Sequence, residues 1–189
     1  MVFDNLSAPQ WLRDFFKIQI YKKYLRIKLM LIGKNIYKKN FETTILKDVD
    51  IKIKPGEITC LIGPSGSGKT TLLKILSMLD TPESGFVSLE GRAYKGSVKE
   101  IKKSNPPWPK ISVVFQQLFL WPHMTLRQNI LLSKKNIRNV EYFEYLLHNF
   151  GMYGCIDRYP NQVSLGQRQR AALVRALILH PDYLLLDEI

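Results

Sequence analysis

The chain has 189 residues, a net charge of +12 and an apolar fraction of 46%. That is enough for one domain with a real core, or for most of a larger one, and 11 Gly with 10 Pro is not low-complexity. No run reaches the ~18 consecutive apolar residues of a membrane-spanning helix, and the mixed charged and aromatic start does not read as a secretory leader.

The positive charge suits nucleic acid or an anionic membrane surface. Against that, Lys, Ile, Asn and Tyr are abundant together, as an AT-rich coding sequence gives, and such charge is more often a solvated face. Cys60 and Cys155 lie far apart and form no metal or redox spacing, so a reduced, cytoplasmic setting with both thiols free is the simplest reading. His123, His148 and His180 show no ligand spacing either.

In chain order, residues 1–29 stand apart. Trp11, Leu12, Phe15, Phe16, Ile20, Tyr24 and Leu25 are interleaved with Arg13, Lys17, Lys22, Lys23 and Arg26. Three readings stay open: a basic amphipathic helix on a membrane surface or partner, an extension without a role, or translation that begins at Met30. The last two together are favoured. From Met30 the pattern is β then α. Residues 30–37 and 45–53 are expected strands, the second with Val49, Ile51 and Ile53 alternating, and Pro55-Gly56 marks a turn. The apolar run Ile58 to Ile62 predicts a strand buried on both faces, and Thr70 to Leu79 a helix. Gly85 to Gly91 predicts a hairpin element. The basic, Pro-rich stretch 92–110 is expected to be mostly loop, and Ile111 to Phe115 a strand. Helical spacing covers 125–157 and 166–179, and Tyr183 to Leu186 predicts a buried strand. No internal repeat is visible.

Gly63-Pro64-Ser65-Gly66-Ser67-Gly68-Lys69-Thr70 matches G-x-x-x-x-G-K-[ST] in full, between an expected strand and an expected helix. The glycines let successive backbone N–H groups turn inward as a nest for phosphate oxygens at a helix N-terminus. Lys69 is placed to reach the β- and γ-phosphates of ATP or GTP, the Thr70 hydroxyl to bind Mg²⁺, and Thr71 to extend the cradle. Asp187 sits at the end of the apolar run Tyr183–Leu186, where parallel sheets present ligands, and Glu188 follows it. That pair suits a carboxylate holding Mg²⁺ beside one polarising an attacking water.

Two further segments are Val163-Ser164-Leu165-Gly166-Gln167-Arg168-Gln169-Arg170 and Val113-Val114-Phe115-Gln116-Gln117, the latter followed by Leu120-Trp121-Pro122-His123-Met124-Thr125. With these four motifs in order, the chain resembles the ATP-binding subunit of ABC transporters from about Met30 to its last residue. Gly63–Thr70 resembles the Walker A motif, Gln116 the Q-loop glutamine, Ser164–Gln167 the signature motif and Leu184–Glu188 Walker B. Tyr159-Pro160-Asn161-Gln162 fits the family's lead-in to its signature. The resemblance implies a P-loop α/β fold of the ABC ATPase type over residues 30–189, with an antiparallel β part near the N-terminus and a helical subdomain at about 120–165.

It also implies an ATPase using ATP and Mg²⁺, with Glu188 and Gln116 catalytic and Thr70, Gln116 and Asp187 at the metal. Two copies are expected to pair head to tail, Ser164, Gly166 and Gln167 of one contacting the γ-phosphate on the other. Taken alone, Ser164 would more often be an ordinary N-cap. Membrane-spanning permease subunits are the expected partners, at the cytoplasmic face of the inner membrane, and nucleic acid is not. Residues 116–130 resemble the branch that takes up polar amino acids such as glutamine. A non-enzymatic remnant is the competing reading. An ATPase acting on ribosomes or DNA ranks last, since tandem cassettes or a long coiled insertion do not appear.

Three departures accompany the resemblance. Leu165 stands where the family signature has a glycine. The adenine-stacking aromatic is expected at Phe41, with Tyr37 second, although an ungapped comparison puts Asn40 there. The chain ends at Ile189, before the family's later aspartate, strand and histidine, so the last strands are expected to be missing. On that expectation, the purified chain turns over ATP poorly or not at all. Steady-state turnover that Glu188→Gln abolishes would contradict it.

Overall fold

The computed structural model describes residues 30–104, 106–132 and 140–188. The basic segment 1–29 and part of the expected helical region, residues 133–139, lie outside the described residues. The chain forms two compact units, the first ending at Pro107 and the second beginning at Trp108.

The first unit is built on an antiparallel sheet. β1 (Leu31–Asn40) and β2 (Thr43–Ile53) form a hairpin in which Asn40 faces Thr43, leaving Phe41 and Glu42 as its turn. The other edge of β1 pairs with β3 (Ser84–Leu89), which continues through Glu90-Gly91 into β4 (Arg92–Tyr94). The order is therefore β2-β1-β3-β4. A bulge at Asn35 (φ 49°) breaks the β1 register. Asn35 fixes it by donating its N–H to Asp50 Oδ1 and its Nδ2 to Asp48 Oδ1, both at 2.7 Å. Only glycine fits opposite, because a Cβ on Gly85 would lie 2.3 Å from the Asn35 carbonyl oxygen.

α1 (Lys69–Leu76) buries Leu72, Leu73, Ile75 and Leu76. Gly33 of β1 lets it approach the sheet, since a Cβ there would meet Leu76 Cδ2 at 3.3 Å. The helix stops three residues before the expected Leu79, because Met78 takes a left-handed φ of 58° and its N–H turns back to the Ile75 carbonyl.

Two expectations fail here. Ile58 to Ile62 is not a strand but an irregular segment, with Ile62 76% exposed. A strand exists only through ladder partners, and among the described residues this run is not part of the first unit's four-stranded sheet. The stretch 92–110 is also not mostly loop. Besides β4 it holds α2 (Val98–Ser104), opened by a capping box in which Ser97 N–H donates to Glu100 Oε2 at 2.6 Å and Glu100 N–H to Ser97 Oγ at 3.3 Å.

In the second unit β5 (Ile111–Val114) pairs in parallel with β6 (Tyr183–Leu186), Val114 opposite Leu186. The Lys110 carbonyl accepts the N–H groups of both Asp182 and Tyr183 and sets this register. The helical part comprises α3 (Leu126–Ile130), α4 (Val140–Asn149), a 3₁₀ turn at Pro160–Gln162 and α5 (Leu165–Leu177). Of the region 125–157, where helical spacing was expected, the described residues hold α3 and α4, with turns after Asn149. α5 packs on β5 and α3, with Ala171 to Val174 and Ala176 to Ile178 buried. Cys60 is exposed, Cys155 is buried, and both thiols are free.

Arg127 Nε and Nη2 donate to the two carboxylate oxygens of Asp157 at 2.7 and 3.0 Å, clamping α3 to the segment before the 3₁₀ turn. This pairing holds the Asp157 carboxyl below its ordinary range. A depressed folded-state pKa stabilises above the unfolded value of about 4 and loses that effect as the pH falls through the folded value. Asp157→Asn is accordingly expected to lower the unfolding free energy measured in urea at pH 7, by at most about 1 kcal/mol for so exposed a pair. Its difference from the native chain is expected to shrink as the pH falls below about 4.

Candidate functional site

The glycine loop enters α1 through Gly68, whose φ of 90° and ψ of 8° place it in the left-handed region. Gly66 is also left-handed, at φ 80°. Alternating handedness is what turns successive amide groups to one side of a loop. The loop is closed by Ser67 N–H on the Pro64 carbonyl at 3.2 Å, and Gly68 hands on its own carbonyl to Leu72 N–H at 2.8 Å. Lys69 folds back over the loop, Nζ donating to the Gly63 and Pro64 carbonyls at 2.9 Å each. No acidic residue lies in the first turn of α1, so the positive end of its dipole faces no carboxylate of its own helix. Gly63, Pro64, Ser65, Gly66, Ser67 and Thr70 are exposed, while Gly68, Lys69 and Thr71 are half-buried.

Phe41 stands in the β1–β2 turn, 96% exposed and at φ 51°, which is unusual for an aromatic residue. Tyr37 is engaged along the hairpin, its hydroxyl 3.3 Å from Thr44 Oγ1 and its ring beneath Lys39 Nζ. Asn40 is the last residue of β1. Of the three, Phe41 offers the open ring face.

The second unit gathers the other residues in two places. Gln116 lies two residues beyond β5 and Asp187 one beyond β6, so both sit at the carboxyl ends of adjacent parallel strands. Asp187 N–H extends the ladder to the Val114 carbonyl at 2.9 Å, and Asp187 is buried, with Gln116 exposed. Glu188 follows, exposed and left-handed at φ 50°.

Ser164 and Gln167 meet at the start of α5 as a capping box. Ser164 Oγ accepts from Gln167 N–H at 3.2 Å, and Gln167 Oε1 accepts from Ser164 N–H at 2.9 Å. The cap uses Ser164 Oγ only as an acceptor, leaving its O–H as a donor. The N-cap reading of Ser164 is therefore correct, and it is compatible with an anion nearby. Leu165 points outward, 58% exposed, beside Gly166.

A family model described as ABC transporter matches residues 46–189. The chain belongs to the ABC transporter family. Among curated relatives of known name, it is 39% identical over 165 residues to the sulfate/thiosulfate import ATP-binding protein CysA of Synechocystis sp., covering 85% of this chain and 44% of that protein. It is 35% identical to the L-cystine import ATP-binding protein TcyN of Bacillus subtilis, over 84% of this chain and 64% of the relative. The glutamine transport ATP-binding protein GlnQ of the same organism is 34% identical, over 84% of this chain and 67% of its own length. The chain thus spans about half to two thirds of the length of these relatives.

Two residues that hold this ABC transporter domain's candidate loops were missed from sequence. Arg175 Nη1 and Nη2 donate to the carbonyls of Phe119 and Leu118 at 2.7 and 2.6 Å. Its signal was a lone charge in the apolar run Ala171 to Ile178. Asn129, fully buried on α3, accepts from Trp121 N–H at 2.7 Å and donates to the Trp121, Met124 and Thr125 carbonyls. It lies among the apolar positions Leu126 and Ile130 of the helix, where a buried amide must find partners.

The loop's tightness gives a direct test. A Cβ on Gly68 would lie 3.0 Å from Ile45 Cγ2 and Leu46 Cδ2, whereas one on Gly66 meets nothing within 4 Å. Gly68→Ala is expected to destabilise by about 2–3 kcal/mol, from left-handed strain plus crowding, and Gly66→Ala by about 1 kcal/mol from strain alone. Urea unfolding of the two variants checks the order.

Proposed function

We propose that this chain is the ATP-binding and ATP-hydrolysing subunit that energises an ABC importer of polar amino acids such as glutamine. The observation that carries the nucleotide assignment is the glycine loop itself: left-handed Gly66 and Gly68 leading into α1, with Lys69 folded over the loop and no acid in the first turn. In this reading Gly63 to Gly68 and Thr71 cradle the phosphates, Lys69 neutralises their terminal charge, and Phe41 stacks on adenine. Glu188 polarises the attacking water.

Thr70, Gln116 and Asp187 are each assigned to Mg²⁺ in this reading, and a hydroxyl, an amide carbonyl and a carboxylate are the hard oxygen donors that suit this ion. Held there, such an ion would supply positive charge to offset that of the phosphates. Ser164, Gly166 and Gln167 face the γ-phosphate on a second copy in a head-to-tail dimer. Permease subunits then bind this assembly at the cytoplasmic face of the inner membrane.

Amino acids are favoured as cargo by the glutamine and cystine relatives, of which this chain spans the larger share. A second reading, sulfate or thiosulfate import, draws on the higher identity to the CysA proteins, 39% and 42% in two cases.

Titration with a fluorescent ATP analogue tests the site. Lys69→Ala is expected to weaken binding by about 1.5–3 kcal/mol, roughly tenfold or more, and Phe41→Ala by about 1 kcal/mol. Equal affinity of the native chain and Lys69→Ala sinks the nucleotide assignment.

A further inference from the structure

We infer that Arg175 of α5 is a positioning residue for Gln116, acting through the backbone of the loop that carries it. The inference rests on the assignment of Gln116 to the metal in the function proposed above.

The loop after β5 is held at several points. Phe115 and Phe119 meet edge to face with centroids 6.1 Å apart, which draws the two limbs together around Gln116 and Gln117. Phe119 is left-handed, at φ 49°. An aromatic residue leaves that conformation unless its surroundings hold it. The hold comes from α5, where the two terminal nitrogens of the Arg175 guanidinium take the carbonyls of Leu118 and Phe119 separately, at 2.6 and 2.7 Å.

A planar fork satisfying two successive carbonyls fixes their direction as well as their distance. The partners are neutral carbonyls, and burial pushes the Arg175 pKa down from its ordinary value. The group stays cationic because guanidinium titrates so far above neutrality, so both bonds are charge-assisted. Beyond them, Asn129 anchors the chain again at Trp121. Gln116 is left exposed on a loop whose far limb is tied to α5 and α3.

The consequence is a link inside one unit. The helix that begins at Ser164 grips the segment that carries Gln116, so a shift of α5 is passed to the glutamine through two hydrogen bonds. Arg175 does not itself touch the metal or the nucleotide in this scheme.

The test compares the full native chain with Arg175→Met, which keeps length and loses every donor, and Arg175→Lys, which restores a cation. Hydrogen exchange is followed by mass spectrometry over residues 116–121 and over the buried part of α5. Arg175→Met is expected to speed exchange at 116–121 by about tenfold or more, as loss of charge-assisted bonds implies, with α5 protection kept. Arg175→Lys should recover part of the protection.

In parallel, the affinity gained by a fluorescent ATP analogue on adding Mg²⁺ should fall in Arg175→Met and in Gln116→Ala, with metal-free binding intact in Arg175→Met. Unchanged exchange at 116–121 in Arg175→Met overturns the inference, as does equal loosening of loop and helix in both Arg175 variants. If Gln116→Ala keeps the full Mg²⁺ effect, the metal assignment fails and Arg175 positions no metal ligand. Loss of analogue binding in Lys69→Ala is scored separately and tests only the nucleotide site.

Discussion

Between β2 and α1 the backbone must change direction while staying in van der Waals contact with Ile45 and Leu46, and Gly68 meets both demands. Its left-handed φ of 90° starts the helix, and its missing side chain lets the loop rest on the strand. Everything assigned to phosphate in the first unit follows from that placement. Lys69 is the first helical residue and folds back over Gly63 and Pro64. Thr70 and Thr71 come next on the same turn, at the positive end of the dipole. A side chain at position 68 crowds Ile45 and Leu46 of β2, so the contact of the loop with the sheet and the start of α1 depend on one residue.

The second unit uses a different device. Its two parallel strands are only four residues each, too few to hold long loops by ladder bonds alone. Side chains from the helices do so instead, with Arg175 and Asn129 satisfying backbone groups that no strand reaches. Each ties a loop to a helix whose apolar face is buried in the core. Buried polar groups of this kind specify one loop shape, because any other shape leaves carbonyls without donors.

What was legible in the sequence follows from how local each signal is. The glycine loop is a contiguous pattern whose residue types are dictated by backbone conformation, and β6 is an apolar run closed by Asp187. The helix from Leu165 announces itself through Ser164 and Gln167 at capping spacing. The Ile58 to Ile62 run misled because apolar composition says nothing about whether a partner strand is available. The capping box of Ser97 and Glu100 was hidden in a basic, Pro-rich stretch. Arg175 was illegible as a loop anchor because its contact with Leu118 spans 57 positions, and no local pattern encodes that. That Gln116 and Asp187 end adjacent parallel strands comes from the β5–β6 pairing, and the chemistry assigned to them comes from the family resemblance and not from spacing.

The bonds from Lys69 Nζ to the Gly63 and Pro64 carbonyls have a further consequence. In the proposed reading, they make anion capture at this loop an exchange of partners. An incoming phosphate meets a loop already drawn into shape by its own lysine, so little chain entropy is lost on arrival. It also has to displace two carbonyl acceptors, which return to the ammonium as soon as the anion leaves. In that reading the same two carbonyls that hold the loop in shape also favour the anion's departure.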